Sequence, residues 1–248
     1  MLDATLAPGE HAVIAGHSMG GMAIAAWSDR YRHKVASRAD AVALINTTTG
    51  DLLREVQLLA VPAPLAAARI LGGRALIGTF GSYAVPPLAR RASRQMISML
   101  AVGSDADRAV GALINDLFAA TSPAGRGGCG KALADAMGRK HIDLTGLTVP
   151  TLVIASRGDR LTPLVASQRI AAALPNSAGL VVLPGGHCSM LERPVARPRA
   201  WRHRGRWATW REFLSTPTMI DVVDRRQCFI AEQCGEALKR TLPTLIGG

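Results

Sequence analysis

The 248-residue sequence is poor in aromatic residues and in cysteine, and both shortages exclude classes of protein. Phe, Trp and Tyr together make up 4% of the chain, whereas alanine, glycine and arginine are abundant, a bias typical of a GC-rich coding sequence. The cysteines form no C-x-x-C pair and no cluster with histidine; they are Cys129, Cys188, Cys228 and Cys234. Neither a disulfide framework nor a cysteine-based zinc site is therefore predicted, and a reducing cytoplasm is the expected location.

The sequence also lacks the marks of a secretory leader and of a transmembrane span. Its first residues, MLDATLAPGE, have neither a basic start nor a long apolar core. The apolar stretch Val56 to Leu88 is interrupted by prolines and arginines, namely Pro62, Pro64, Arg69 and Arg74. We therefore do not expect it to cross a bilayer, although contact with a membrane surface, or the lining of an apolar tunnel, is compatible with its composition.

The net charge of the chain is strongly positive, and the position of the basic residues decides what this charge indicates. The formal net charge is +11, from 29 Lys and Arg against 18 Asp and Glu. From Arg193 to the end there are 11 basic and 5 acidic residues, a net of +6, which leaves +5 for the rest of the chain. Much of the basicity therefore belongs to the C-terminal part, and it does not predict a nucleic-acid-binding face on the preceding residues.

The most informative stretch is His11 to Trp27, in which a short apolar run leads into GHSMG and then into a helical pattern. This order predicts strand, sharp turn and helix. Ser18 stands at the centre of the G-x-S-x-G pattern, where glycines on either side let the strand and helix backbones approach closely. We predict Ser18 as a nucleophile and the Met19 backbone N–H as an oxyanion donor. The alternative is a tight turn, or a phosphate site at the helix N-terminus.

Apolar runs later in the chain predict further strands at residues 41–45, 151–155 and 179–183, with a helix over residues 163–174 between the last two. Continuous apolar runs are typical of strands buried on both faces. Their alternation with helices predicts a parallel, doubly wound α/β sheet.

The stretch from Asp51 to about Thr148 has no convincing strand. It contains helical segments, for example Leu58 to Leu71 and Asp105 to Ala120, and a glycine-rich break at 125–130. We expect a helical cap inserted over the catalytic edge of the sheet, with ordinary core helices as the alternative. The predicted organisation is an N-terminal core part at 1–50, the cap at 51–148, a C-terminal core part at 149–195 and an atypical basic tail at 196–248.

A serine hydroxyl needs a base to remove its proton, and the base needs an acid to fix its tautomer. Asp159 and His187 each follow a predicted strand, and the order Ser, Asp, His is the one used by this fold class. Arg157 and Arg160 are expected to favour the ionised form of Asp159. Alternatively, Asp159 caps a helix and His187 is an ordinary polar residue at a strand end.

Other polar residues receive lesser roles. We predict that His17 shapes the substrate pocket and does not enter the proton relay. Asp40 and Asp51 flank the strand at 41–45 and are the reserve candidates for the acid.

The motifs GHSMGG, SRGDRLTP and GGHCSMLERP resemble those of α/β-hydrolases of the esterase/lipase type, and the elbow resembles that of monoglyceride-lipase-like members. The resemblance covers about residues 1 to 195. It implies a Ser-His-Asp hydrolase that needs neither a metal nor an organic cofactor, with an ester or lipid-like small molecule as substrate. A thioesterase, a carbon–carbon bond hydrolase or a cofactor-free haloperoxidase would use the same three residues.

Two departures from that family shape further expectations. In the family, about four strands and a loop that supplies the second oxyanion donor precede the elbow, whereas only ten residues precede His11 here. We expect an N-terminally truncated version of a longer enzyme. Losing one oxyanion donor costs on the order of a hundred- to a thousandfold in rate. A catalytically silent remnant that serves as a binding module is therefore the alternative to an active enzyme.

The second departure begins near Val195 with the segment ARPRAWRHRGRWATWREF, and the chain has six arginines from Arg193 to Arg206. Arginine interleaved with tryptophan can bind phosphate backbones and stack on bases. A shifted reading frame in a GC-rich gene produces the same composition, and we favour that interpretation over nucleic-acid binding.

Overall fold

The computed structural model describes residues 2–52, 87–136 and 141–192. In these ranges the fold centres on a four-stranded parallel sheet in the order β1-β2-β3-β4. Its strands are β1 (Ala12–His17), β2 (Ala39–Ile45), β3 (Thr151–Ser156) and β4 (Ser177–Leu183). The predicted α/β fold with a parallel sheet is confirmed.

Helices connect and flank these strands. They are α1 (Leu2–Thr5), α2 (Met19–Arg30), α3 (Arg32–Arg38), α4 (Arg90–Ala101), α5 (Arg108–Ala120), α6 (Pro123–Ala136), α7 (Leu164–Ala173) and α8 (Ser189–Glu192), with a 3-10 turn at Pro87–Ala89 before α4. A helix or helix pair thus joins β1 to β2 and β3 to β4, as parallel pairing requires.

The two central strands are the most deeply buried part of the sheet. Every residue of β3 is buried, and β2 exposes only Asp40 fully. Side chains from both strands pack with helices α2, α3 and α7 in one apolar cluster, whose members include Ile24, Val35, Leu44, Val153 and Ile170. Each such side chain contributes roughly 1.5 to 3 kcal/mol when fully buried, so this cluster fixes the sheet that carries the site.

Strand register brings the carboxyl ends of all four strands to one edge of the sheet. His17 pairs with Ile45, Ile45 with Ile154, and Ser156 with Leu183. The residues that follow these ends therefore lie next to one another although they are far apart in the sequence. Ligand sites of open α/β sheets form at this edge.

The glycine-rich break predicted at 125–130 is wrong, because α6 runs through it. The helix has a strong start: Pro123 occupies its first position, and the Ser122 hydroxyl accepts a hydrogen bond from Gly125 N at 3.1 Å. These terminal signals outweigh the low helix propensity of glycine, which costs about 1 kcal/mol per residue relative to alanine.

Several predictions fall outside the described residues. They are the helix at Leu58 to Leu71, most of the apolar stretch Val56 to Leu88, and the basic tail at 196–248. The division into two core parts, a cap and a tail stays a prediction, although the described residues of the predicted cap are helical from 90 to 101, 108 to 120 and 123 to 136. Among the helices in the described ranges, none combines the length and apolar character needed to span a bilayer.

Candidate active site

Ser18 sits in a sharp turn between β1 and α2. Its backbone has φ 52° and ψ −118°, a left-handed conformation that non-glycine residues rarely adopt. The turn is held on the strand side by Ser18 N, which donates to Ile45 O at 3.0 Å. Such strain is a common feature of functional sites.

Close backbone approach explains the glycine two residues before the serine. A Cβ atom placed on Gly16 would lie 2.6 Å from the carbonyl carbon of Gly20 and from Gly21 N, so no other residue fits without moving the backbone. The Ser18 carbonyl accepts hydrogen bonds from Gly21 N and from Thr47 Oγ1, at 3.0 and 2.7 Å. Met19 opens α2, and its N–H therefore has no partner within the helix.

Asp159 and His187 come together at the ends of β3 and β4. His187 Nδ1 lies 2.8 Å from Asp159 Oδ2, and both residues are buried, with 5% and 4% of their surface exposed. The carboxylate also accepts hydrogen bonds from Thr162 Oγ1 at 2.6 Å and from the backbone N–H groups of Leu161 and Thr162. An ionised Asp159 accepts a hydrogen bond from the Nδ1–H of His187, and this favours the tautomer whose Nε2 lone pair is free to act as a base.

The charge state of Asp159 follows from these contacts. Burial raises the pKa of this carboxyl, but the hydrogen bond and charge of His187 and the hydrogen bonds from Thr162 outweigh burial, and the net pKa lies below its ordinary value. The expected role of Arg157 and Arg160 stays a prediction, because both side chains are exposed and neither is among the largest causes of this shift.

Ser18 is not hydrogen-bonded to His187. Among the described residues, the Ser18 hydroxyl has no hydrogen-bond partner, and the Nε2 side of His187 has none either. His17 directly precedes Ser18, and its ring centroid lies 4.7 Å from that of His187. Hydrogen bonds of this kind are often long in unliganded enzymes and tighten when substrate binds.

His17 contacts the backbone of His187. Its Nε2 lies 2.9 Å from the His187 carbonyl oxygen, so Nε2 carries the proton and donates. Burial and the neighbouring His187 lower the pKa of His17 to about 4, so this imidazole is neutral near pH 7. The predicted role of His17 in the substrate pocket stays a prediction, and this hydrogen bond adds a contact that the sequence did not indicate.

Asn46 is a polar residue that the sequence analysis did not single out. It follows β2 with φ 42°, is fully buried, and its side-chain nitrogen lies 2.7 Å from His187 O, 3.0 Å from Ser156 Oγ, 3.2 Å from Ser189 Oγ and 3.5 Å from Gly186 O. The available signal was its position, because it follows a strand that ends at the same edge as the catalytic candidates.

Glu192 ties the histidine loop to the helical region before it. Its carboxylate accepts hydrogen bonds from Gly186 N at 3.0 Å and from Gly103 N at 3.1 Å, while Cys188 N donates to Ala101 O at 2.8 Å. The end of α4 is therefore bonded directly to the loop that carries His187.

The reserve candidates for the acid, Asp40 and Asp51, contact histidines other than His187. Asp40 is exposed and lies 3.2 Å from His11, and Asp51 lies 3.9 Å from His141.

Cys188 is buried, and burial together with Glu192 and Asp159 raises the pKa of its thiol to about 12, which keeps it protonated and unreactive. In the described ranges, no group of three or more His, Cys, Asp or Glu side chains is arranged to hold a metal ion.

Comparison with known proteins agrees with this geometry. A family model described as "alpha/beta hydrolase fold" matches residues 5–194. The chain belongs to the alpha/beta hydrolase family. This confirms the resemblance noted from the three sequence motifs at the level of the family.

Solved structures place the chain among other alpha/beta hydrolases. An enol-lactonase from Burkholderia xenovorans LB400 matches with 25% identity and a TM-score of 0.54, over 75% of this chain and 62% of that one. A thermophilic esterase from Thermogutta terrifontis matches with 21% identity and a TM-score of 0.53, over 73% of this chain and 60% of that one. The second likeness, at lower identity, concerns the fold alone.

A shorter sequence match is to a protein of Pseudomonas syringae pv. syringae (strain B728a) named as a carbamate hydrolase, RutD. It is 40% identical over 60 residues, which are 24% of this chain and 23% of that protein. This alpha/beta hydrolase chain spans about 60% of the length of the solved structures that it matches.

Proposed function

We propose that this chain is a serine hydrolase that cleaves carboxylic esters through Ser18, His187 and Asp159. The observation that carries the proposal is the buried 2.8 Å contact between His187 Nδ1 and Asp159 Oδ2 at the same sheet edge as the strained turn of Ser18. An imidazole oriented in this way through Nδ1 can present Nε2 as a base, which is what an unactivated serine hydroxyl requires.

In the proposed reaction, Ser18 Oγ attacks the ester carbonyl carbon while His187 Nε2 takes the hydroxyl proton. The negative charge that develops on the carbonyl oxygen is stabilised by the Met19 N–H, the first N–H of α2. His187 then gives the proton to the departing alkoxide, so that an alcohol leaves and an acyl-enzyme remains. Water activated by the same imidazole hydrolyses the acyl-enzyme and restores the hydroxyl of Ser18.

The choice of an ester rests partly on the comparisons. The enol-lactonase relative is named for a cyclic ester, and its likeness covers three quarters of this chain. We propose an apolar or lipid-like acyl group, bound beneath the helical region that follows β2, with the cytoplasm as the place of action and peripheral membrane contact as a possible source of substrate. A carbamate is the second candidate, because the 60-residue match is to a protein named as a carbamate hydrolase.

The proposal is tested by ester hydrolysis with the full chain. Chromogenic esters of short, medium and long acyl chains, and one aryl carbamate, are compared for the parent chain, Ser18→Ala and Ser37→Ala. Ser37 is an exposed helical serine whose hydroxyl donates to Lys34 O, so it is the matched control. We expect Ser18→Ala to lose nearly all activity, since loss of a serine nucleophile costs about a millionfold in kcat, and Ser37→Ala to retain full activity.

Labelling with a fluorophosphonate probe separates the enzyme from a silent remnant. The probe reacts only with an activated serine, so we expect labelling of the parent chain and of Ser37→Ala, and none of Ser18→Ala. A well-folded parent chain that neither reacts with the probe nor cleaves any of the substrates would overturn the proposal and support a binding module instead.

A further inference from the structure

We propose that Asn46 and His17 are positioning residues that hold the backbone carbonyl of His187 from two sides and thereby set the place of its imidazole. This inference deepens the proposed function and rests on His187 being the base of that reaction. We call the pair of hydrogen bonds the carbonyl clamp: Asn46 Nδ2 to His187 O at 2.7 Å, and His17 Nε2 to His187 O at 2.9 Å.

The clamp uses the full hydrogen-bonding capacity of one atom. A carbonyl oxygen has two lone pairs, and each is taken here by a side-chain donor. Two bonds of different direction fix the peptide plane of His187 in place. The Asp159 carboxylate then fixes the ring rotation through Nδ1, so the position of Nε2 is determined from both the main chain and the side chain.

The two donors come from the strands next to the nucleophile. His17 is the last residue of β1 and directly precedes Ser18, and Asn46 directly follows β2, which pairs with β1. The clamp therefore links the base to the strand pair that carries the nucleophile, across 170 residues in the case of His17. No contact between Ser18 and His187 themselves is needed for this link.

Asn46 is itself held rigidly. Its backbone N–H donates to Ile154 O at 2.8 Å, and its Oδ1 accepts a hydrogen bond from Ser156 Oγ at 3.1 Å. The direction of the amide follows from its neighbours, because an oxygen placed 2.7 Å from the His187 carbonyl would repel it. Asn46 Nδ2 also lies within hydrogen-bond distance of Ser156 Oγ and Ser189 Oγ, but its shortest contact is the one to His187 O.

The first test is the full chain with Asn46→Gly. Glycine accepts the positive φ of this position and removes the amide donor, so the backbone turn is retained. We expect kcat for the preferred ester to fall by about tenfold to a hundredfold with KM nearly unchanged, because misplacing a catalytic group by an ångström has an effect of this size. Asn176→Gly is the matched control, since Asn176 Nδ2 also donates to a carbonyl, that of Thr148, on the exposed surface.

A second pair of variants covers the case in which Asn46→Gly does not fold. His17→Phe keeps an aromatic ring and removes the donor, whereas His17→Gln replaces the imidazole with an amide that can donate to the same oxygen. We expect kcat to fall in His17→Phe and to recover at least partly in His17→Gln. Equal losses in these two variants would contradict the clamp.

Proton NMR supplies a readout that does not depend on turnover. The Nδ1 proton shared by His187 and Asp159 is expected to give a resonance far downfield, which Asp159→Asn assigns by removing it. We expect Asn46→Gly and His17→Phe to shift or broaden this resonance and Asn176→Gly to leave it unchanged. If the resonance and kcat are the same in folded Asn46→Gly as in the parent chain, the inference is overturned.

The NMR readout also separates this inference from the proposed function. A parent chain that shows the downfield resonance, but has no esterase activity and no fluorophosphonate labelling, refutes the proposed function only. The response of the resonance to Asn46→Gly then still decides whether the clamp positions His187.

Discussion

The two halves of the site are built differently. On one side, Asp159 and His187 are almost fully buried, and the carboxylate accepts hydrogen bonds from His187, Leu161 and Thr162. On the other side, Ser18 follows β1, which among the described strands pairs only with β2 and exposes Ala15. Within the described residues the Ser18 hydroxyl has no hydrogen-bond partner.

This difference shows that two kinds of interaction orient the catalytic candidates. The acid and the histidine are oriented by a network of hydrogen bonds in a buried environment, where such bonds are strong. The nucleophile is oriented by steric fit: a left-handed backbone and a glycine that lets two segments touch. Changes to the groups that orient the two halves are therefore expected to differ in effect. Loss of a hydrogen-bond partner in the first half should mainly lower activity, whereas an added side chain in the tight turn of the second half should mainly lower stability.

The largest effect is expected from Asp159→Asn. The amide presents its N–H or its oxygen to His187 and no longer selects the tautomer with a free Nε2, so kcat for ester hydrolysis should fall by about 10⁴-fold. Steady-state kinetics measure the loss. Asp40→Asn is the matched control, because Asp40 was a reserve candidate and is exposed next to His11. An equal loss of kcat in both variants would contradict the assignment of Asp159 as the acid.

The next effect concerns pH and His17. Between its folded pKa of about 4 and its unfolded pKa near 6.5, the unfolded chain binds a proton that the folded chain does not. The free energy of unfolding should therefore decrease by about 3 kcal/mol as pH falls through this window, and then level off. Urea denaturation near pH 7 and near pH 4 measures this.

His17→Gln should lack that component, whereas His33→Gln, at an exposed position, should keep it. If the difference in stability between the two pH values is the same in His17→Gln as in the parent chain, the pKa of His17 is not lowered by folding.

A smaller effect is expected from Gly16→Ala, which acts on the nucleophile half. The added methyl would lie 2.6 Å from backbone atoms that cannot rotate away, and we expect a destabilisation of about 2 kcal/mol. Gly128→Ala is the opposite case, because nothing lies within 4 Å of that methyl in α6 and alanine is the better helix former. Thermal denaturation should show a lower Tm for the first and an unchanged or higher Tm for the second.

The smallest effect is expected from Glu192→Gln. The amide keeps one acceptor but loses the charge that strengthens the bonds to Gly186 N and Gly103 N, which should cost about 1 kcal/mol. Chemical denaturation measures the loss, and kcat should change less than in Asp159→Asn. Glu10→Gln should be neutral, because the exposed Glu10 carboxylate accepts a hydrogen bond from Ala7 N on the surface. A kcat loss as large as that of Asp159→Asn would mean that Glu192 acts on the chemistry.

The strands could be predicted because buried strands have continuous apolar runs in the sequence. The runs at 41–45, 151–155 and 179–183 lie within β2, β3 and β4, and the predicted helix at 163–174 contains α7. The residues at which the strands end were less predictable. Gly16 and His17 continue β1 because they pair with Leu44 and Ile45, which the composition of the run does not indicate.

The position of Asn46 after β2 was a signal, but its role could not be predicted because that role depends on tertiary contacts. A single asparagine after a strand is typical of a turn, and nothing local indicates that its amide meets a carbonyl 141 residues later in the chain. The same holds for Thr162 and Glu192. The motifs identified the candidates for chemistry, but the residues that hold them are visible only in the folded chain.

The contact between α4 and the histidine loop limits how this protein can change. A side chain on Gly186 would clash with the backbone of Gly103, and Glu192 bridges the same two glycines. A substitution, insertion or tilt at the end of α4 is therefore transmitted directly to His187. Exchange of the helical region for another is therefore expected to require matching changes in residues 185 to 192.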